Sequence, residues 1–162
     1  MSKAFLNAFL IGIAIIAVGV AALLFMNRGS RVGLDGRVLK VRTAPLDENN
    51  SVAILDFRFH NPSHVPFWVR GVTVLMEDKD GTQYQGATVS EVDAKRLFTA
   101  IPLLGQKYND TLLMRDQVAP GVSEDRMVAA TFNAPEARID GRKRFLIRIE
   151  DVDGPITEIS EK

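Results

Sequence analysis

The sequence contains no cysteine. That removes disulfides, thiolate zinc sites, iron–sulfur centres and cysteine nucleophiles together, since each needs a sulfur ligand or a thiolate. Histidine is almost as scarce: His60 and His64 are the only two. Asn61-Pro62-Ser63 separates them, so the spacing does not place both on one helical face, and a third ligand is missing. No metal site is expected. An excess of either charge is also lacking, because 20 Lys and Arg balance 20 Asp and Glu. A protein that neutralises phosphate along a nucleic acid carries a basic excess, so DNA and RNA are not expected partners. The chain has no Gly-rich phosphate loop and no context marking an activated serine, so no cofactor is expected.

The acidic residues give no catalytic group either. Glu91, Asp93, Glu124 and Asp125 are separated carboxylates with nothing in the sequence to mark a pocket or a partner, and a solvated face explains them. Asp78, Asp80 and Gly81 match part of a calcium loop, but the ligand series ending in a bidentate Glu is absent, and a tight turn accounts for them. Catalytic residues are therefore none, and the chain is expected not to be an enzyme.

What the sequence does have is one uneven run. Ala4 to Met26 holds no charged residue in 23 positions. At about 1.5 Å per helical residue this covers about 34 Å, against a hydrocarbon core near 30 Å. Asn7, its one strongly polar side chain, sits near the amino end where interfacial water reaches the amide. A cleaved signal peptide needs an apolar stretch of only about 7 to 15 residues, so the reading is a retained, single-pass transmembrane helix contacting the lipid bilayer through Ala4–Met26. Ala8 and Gly12 form a small-xxx-small pair, which by itself fits a plain lipid-facing helix.

The flanking charges conflict on orientation. Lys3 precedes the run and Arg28, Arg31, Arg37, Lys40 and Arg42 follow it, which by local counting keeps the carboxyl side in the cytoplasm. Long following domains translocate largely regardless of charge, and a short basic leader is how an uncleaved signal anchor begins. An extracytoplasmic, periplasmic-side domain is expected. If the basic run met anionic headgroups, each cation would contribute about 1 kcal/mol.

Beyond the run the apolar period falls to two. Val38 to Thr43 alternates, and Ala53, Leu55, Phe57 and Phe59 share one strand face while Asp56, Arg58 and His60 take the other. Val69 to Glu77, the Asp78-Lys79-Asp80-Gly81 turn and Thr82 to Val89 form a hairpin. Ser90 to Asp93 has capping-box spacing and starts a short helix before Pro102. Thr111 to Val118, Arg126 to Phe132 and Arg144 to Val152 complete the strands, and Asn133 with Pro135 starts one helical turn. The fold expected is all-β, an antiparallel immunoglobulin- or fibronectin-like β-sandwich preceded by a single N-terminal transmembrane helix. The divisions expected are anchor 1–27, linker 28–37 with a hinge at Asn27 to Ser30, sandwich 38–155 and C-terminal tail 156–162.

Leu55-Asp56-Phe57-Arg58-Phe59-His60-Asn61-Pro62, then Val65, Pro66 and the strand to Met76, resembles the late-embryogenesis-abundant type 2 (LEA14-like, WHy) domain family. Val118-Ala119-Pro120-Gly121-Val122-Ser123 is similar to the family's Pro-Gly element before a core strand. The family positions are thus Asn61, Pro62, Pro120 and Gly121, and the matches span about Val38 to Val152. Asn61-Pro62 also works as a strand terminator, since Asn bonds local backbone and Pro removes a donor. The chain departs from the family in the segment Glu91 to Lys107 and in the bulk of Phe67-Trp68. The resemblance implies a stress-related, protein-binding or structural role with no catalytic residues.

A partner-binding surface is expected from Phe67, Trp68, Phe98, Ile101, Leu103 and Leu104, if sandwich-end loops expose them; packing beneath the domain's own loop is the competing reading. Three functions follow. The first is a membrane-anchored, non-enzymatic binding, scaffolding or stress-protective module at the cell envelope with a protein partner. The others are an accessory subunit of a membrane complex docking an extrinsic partner, and a carrier of lipid or a small apolar ligand. The last requires a cavity of about 300 Å³ or more with convergent polar groups.

Overall fold

The structure, a computed structural model, describes residues 3–27 and 33–161. The chain divides into two units, Met1–Arg31 and Val32–Lys162. The first contains α1, a 25-residue helix Lys3–Asn27. Among the described residues no helix is long and apolar enough to cross a membrane. The uncharged run Ala4–Met26 lies within α1. Asn27 of the expected hinge ends α1, and Arg28 to Ser30 lie outside the described residues.

The second unit is mostly β, built from β1 Asp35–Pro45, β2 Ser51–His60, β3 Phe67–Glu77, β4 Gln83–Thr88, β5 Gln117–Val118, β6 Ser123–Phe132, β7 Arg144–Asp151 and β8 Ile156–Ser160. Helix α2, Glu91–Ala100, and α3, Glu136–Asp140, interrupt them. The strands run in the order β1-β2-β6-β4-β3-β7-β8, and each strand pairing is antiparallel. β4 pairs with β3 from Gln83 to Gly86 and then with β6 through Ala87 and Thr88, so the strip bends there into two facing layers. Gly86 stands at that bend: a Cβ would meet the Phe132 ring at 2.6 Å and the Ala130 Cβ at 3.0 Å. At the open edges β1 and β8 approach without pairing, for a Cβ on Gly36 would overlap Ile159.

The core lies between the layers. Ala53, Leu55, Phe57 and Phe59 of β2 face Phe145, Ile147 and Ile149 of β7, and Val128, Ala130 and Phe132 of β6 join them, as the period-two pattern predicts. Phe57 and Phe59 have ring centroids 5.7 Å apart and Phe132 and Phe145 5.6 Å, the tilted spacing that aromatic pairs favour. The hairpin turn forms with Gly81 at φ 87°, and the Ser90 hydroxyl accepts from the Asp93 amide at 3.2 Å to start α2.

Three expectations need correction. Thr111 to Val118 is not a strand: it reduces to a bridge at Thr111 and the two residues of β5. Arg115 turns at φ 73°, and the Asp116 carboxylate accepts from the Leu113 amide at 2.9 Å, so a local turn displaces the ladder. Residues 156–160 of the expected tail form β8, whose Ile159 is buried against the core. The linker ends earlier than 37, because Asp35 pairs with His60 and opens β1. β2 is buried on both faces from Ser51 to Phe57, with Asp56 on the face opposite Leu55 and Phe57 as the alternation predicts.

Candidate interaction site

The second covered face of β2 explains the polar segment. Residues 91–104 fold across the outer side of β1, β2 and β6, where Ala94 and Leu104 pack with Ala44, Val52, Ile54, Met127 and Ala129 in a second core. Val89, Leu97, Phe98 and Ile101 border it. Short apolar side chains on two neighbouring strands give a flat floor, and an amphipathic helix with one apolar stripe suits it.

Arg42 holds this insertion down. It pairs across from Ile54, so its side chain shares the outer face with Asp56 two residues on. Arg42 Nη2 lies 2.6 Å from Asp56 Oδ2, the two side chains being 9% and 3% exposed. Nη1 donates to the carbonyls of Leu104 and Gln106, both at 2.7 Å. The guanidinium sits 4.9 Å from the Phe98 ring centroid and 5.4 Å from that of Tyr108, within cation–π range. Asn109 Nδ2 donates to the second Asp56 oxygen at 2.9 Å. One planar cation therefore ties strand, helix end and following loop together, which a point-charge Lys cannot do.

A second charged knot closes the insertion's other side. Lys107 Nζ lies 3.0 Å from Glu91 and donates to the Asn109 carbonyl at 2.8 Å, and Glu91 accepts from the Thr111 amide at 3.2 Å. Burial works to raise the Glu91 pKa, but hydrogen bonds from Thr111, Lys107 and Lys95 outweigh it and hold the carboxyl at about 2. The other acids weighed as catalytic groups are likewise paired: Asp93 with Arg96, Glu124 with Arg126 and Asp125 with Arg58. The fork of Arg58 lowers the Asp125 pKa. Chemically this arrangement positions backbone and fixes a surface.

The six residues expected to form a partner surface do not share one. Phe67 and Leu104 are fully buried, while Phe98 and Ile101 are half-buried against the second core. Trp68 (41% exposed) and Leu103 (71%) reach solvent. Beside α2 a shallow groove of about 330 Å³ is lined by Val89, Asp93, Arg96, Leu97, Ala100 and Thr131. A separate cleft of about 350 Å³, lined by Val72, Thr88, Leu112, Met114 and Val128 among others, opens beside the divergence of β3 and β4. Arg42, Asp56, Lys107 and Asn109 were not singled out from sequence. Arg42 read as one of a basic run; only its strand register pairs it with Asp56.

The four family-motif residues do converge, through Asn61 and Gly121. Asn61 is fully buried at the end of β2; its Nδ2 donates to the carbonyls of Val65 at 2.9 Å and Val118 at 3.0 Å, and its Oδ1 accepts from Ser63. Its amide donates to Val122 O at 3.0 Å and its carbonyl accepts from the Gly121 amide at 2.8 Å. Gly121 follows Pro120 at φ 71°, a conformation that favours glycine. His60 Nδ1 lies 3.0 Å from Ser123 Oγ, and His64 is exposed in the next loop. Among the described residues no three metal-type ligands gather.

No family model matches the chain, and no curated protein matches it. It is similar to solved β-sandwich structures at low identity. The archaellum periplasmic stator protein FlaG from Sulfolobus acidocaldarius is 12% identical with TM-score 0.37, covering 78% of this chain and 98% of its own. An uncharacterized β-sandwich protein from Clostridium difficile 630 is 13% identical with TM-score 0.40, covering 82% and 87%. An ApaG protein from Pseudomonas aeruginosa is 10% identical with TM-score 0.38, covering 70% and 90%. At these scores the sandwich assignment stands on the strand registers alone.

Proposed function

We propose that this chain is a single-pass, membrane-anchored β-sandwich acting as a non-enzymatic interaction or scaffolding module on the extracytoplasmic side of the membrane. The observation that carries the reading is the Arg42 latch, which fixes the insertion and leaves Leu103 standing in solvent beside α2. A buried ion pair with three further polar partners is an expensive way to hold an ordinary loop, and its return is a rigid surface.

The anchor is supported by sequence and by exposure within α1. Phe9, Ile11, Ile13, Ile15, Ile16, Val18 and Val20 are all exposed, and successive positions cover every side of a helix at 3.6 residues per turn. A helix apolar all round is stable when buried or in lipid. The Asn61–Gly121 knot supports the resemblance to the late-embryogenesis-abundant type 2 family, because it gives each matched polar or glycine position a structural task.

The test is a photo-crosslinker at position 103 of the full chain in its native membranes, with a second at exposed Glu48 as control. A discrete adduct at 103, lost when Leu97→Glu reshapes the adjoining groove, supports the module. Equal diffuse labelling at both positions refutes it. Protease accessibility of Lys162 in sealed vesicles decides the side.

A further inference from the structure

The two ends of the sandwich differ in chemistry. At one end β1 begins, β2 stops, β6 begins, β7 stops and β8 begins, since Asp35 pairs with His60, His60 with Ser123, Val69 with Asp151 and Glu150 with Ile156. The chain enters the domain here too: the Leu34 amide donates to Thr157 Oγ1 at 2.9 Å. The loops of this end, 61–66, 119–122 and 152–155, contain one charged residue, Asp153, in fourteen positions, and the adjoining turn 113–116, bonded to Val69 through the Arg115 amide, adds Arg115 and Asp116. At the opposite end, loops 46–50, 78–82 and 133–143 contain ten charged residues in twenty-one. Turn formation does not explain the contrast, because both ends use Asn, Asp, Pro and Gly for their reversals.

The entry end also carries exposed apolar side chains: Val65 (46%), Trp68 (41%), Val122 (36%), Val152 (53%) and Ile156 (61%). The opposite end has Leu46. At the entry end part of the loop backbone is satisfied internally, for Asn61 takes the carbonyls of Val65, Val118 and Val122, and Trp68 O accepts from the Val152 amide at 3.0 Å. Backbone paired in this way loses little on leaving water, where unpaired carbonyls would resist dehydration.

We propose that this end is a membrane-apposed face, whose apolar loops and Trp68 enter the headgroup boundary of the bilayer that holds α1. The inference rests on the anchor proposed above. Residues 28–32 separate Asn27 of α1 from Gly33, and fully extended chain of that length reaches roughly 20 Å. With α1 in lipid, that upper bound on the tether applies to the start of β1, which is at the entry end. A Trp with one apolar edge and a polar nitrogen is suited to that boundary.

Trp68 is the one tryptophan of the chain, so native fluorescence reports on this face. The full chain is reconstituted in phosphatidylcholine vesicles, with or without lipid brominated high on the acyl chain, and washed in alkaline carbonate. The expected result is retention in the pellet, loss of Trp68 emission with brominated lipid, and protection from aqueous iodide relative to detergent. Ile156→Asp with Val152→Asp, both exposed positions, should restore emission and iodide access while retention stays unchanged. Release by carbonate overturns both the anchor and this face. Retention with unquenched, iodide-accessible Trp68 overturns the face alone. Protection from iodide without lipid quenching also overturns it, by assigning the surface to a protein or a second copy.

Discussion

Replacing Arg42 by alanine removes the cation from a site where its partner stays behind. Asp56 is 3% exposed at the side chain, and after the change Asn109 is its one remaining side-chain donor among the described residues. The carbonyls of Leu104 and Gln106 lose their shared donor, and Phe98 and Tyr108 lose the plane they stack on. Deleting one member of a buried ion pair costs about 3–5 kcal/mol, largely for the stranded charge. In a domain of this size that lowers Tm by about 10–20 °C. Removing both charges as Arg42→Met with Asp56→Leu should recover most of the loss, since no buried charge is left unpaired. Thermal unfolding of the full chain in detergent measures the first quantity, and hydrogen exchange across residues 94–112 locates it. The reasoning fails if Arg42→Ala unfolds within about 0.5 kcal/mol of the parent, or if exchange in the insertion does not rise.

Gly86→Ala places a methyl 2.6 Å from the Phe132 ring, so it should cost about 1–3 kcal/mol in chemical denaturation. Asn61→Ala removes two donors and an acceptor from the loop knot, for a loss of about 2–4 kcal/mol; Asn61→Asp should not rescue it, because a carboxylate cannot donate to Val65 and Val118. Glu91, held at about 2 against an ordinary 4.5, contributes stability that is complete above its unfolded value and lost as pH falls from there toward 2. Exchange in residues 91–111 should therefore rise on acidification through that window in the parent and stay flat in Glu91→Gln.

The period-two strands were legible because a side chain alternates faces whatever surrounds it. Ala53, Leu55, Phe57 and Phe59 lie on the face their spacing predicts, and the Asp-Gly reversal after Glu77 and the Ser90 cap are local events needing only near neighbours. The burial of Asp56 is a different matter: alternation says which face it occupies, not whether an insertion 35 residues later covers that face. β8 escaped notice because five residues with two inward positions are too short a pattern to stand out.

Composition and local pattern by themselves determined the uncharged helix, the β class of the remainder, the hairpin and the strand-ending Asn-Pro. Those depend on charge, backbone preference and neighbours within a few residues. Which polar groups meet was decided only by the tertiary structure. Arg42 and Asp56 become partners through a register between two strands, and Asn61 reaches Gly121 across 60 positions. The gathering of apolar loops at the entry end likewise comes from strand order, a relation among distant segments that no local window contains.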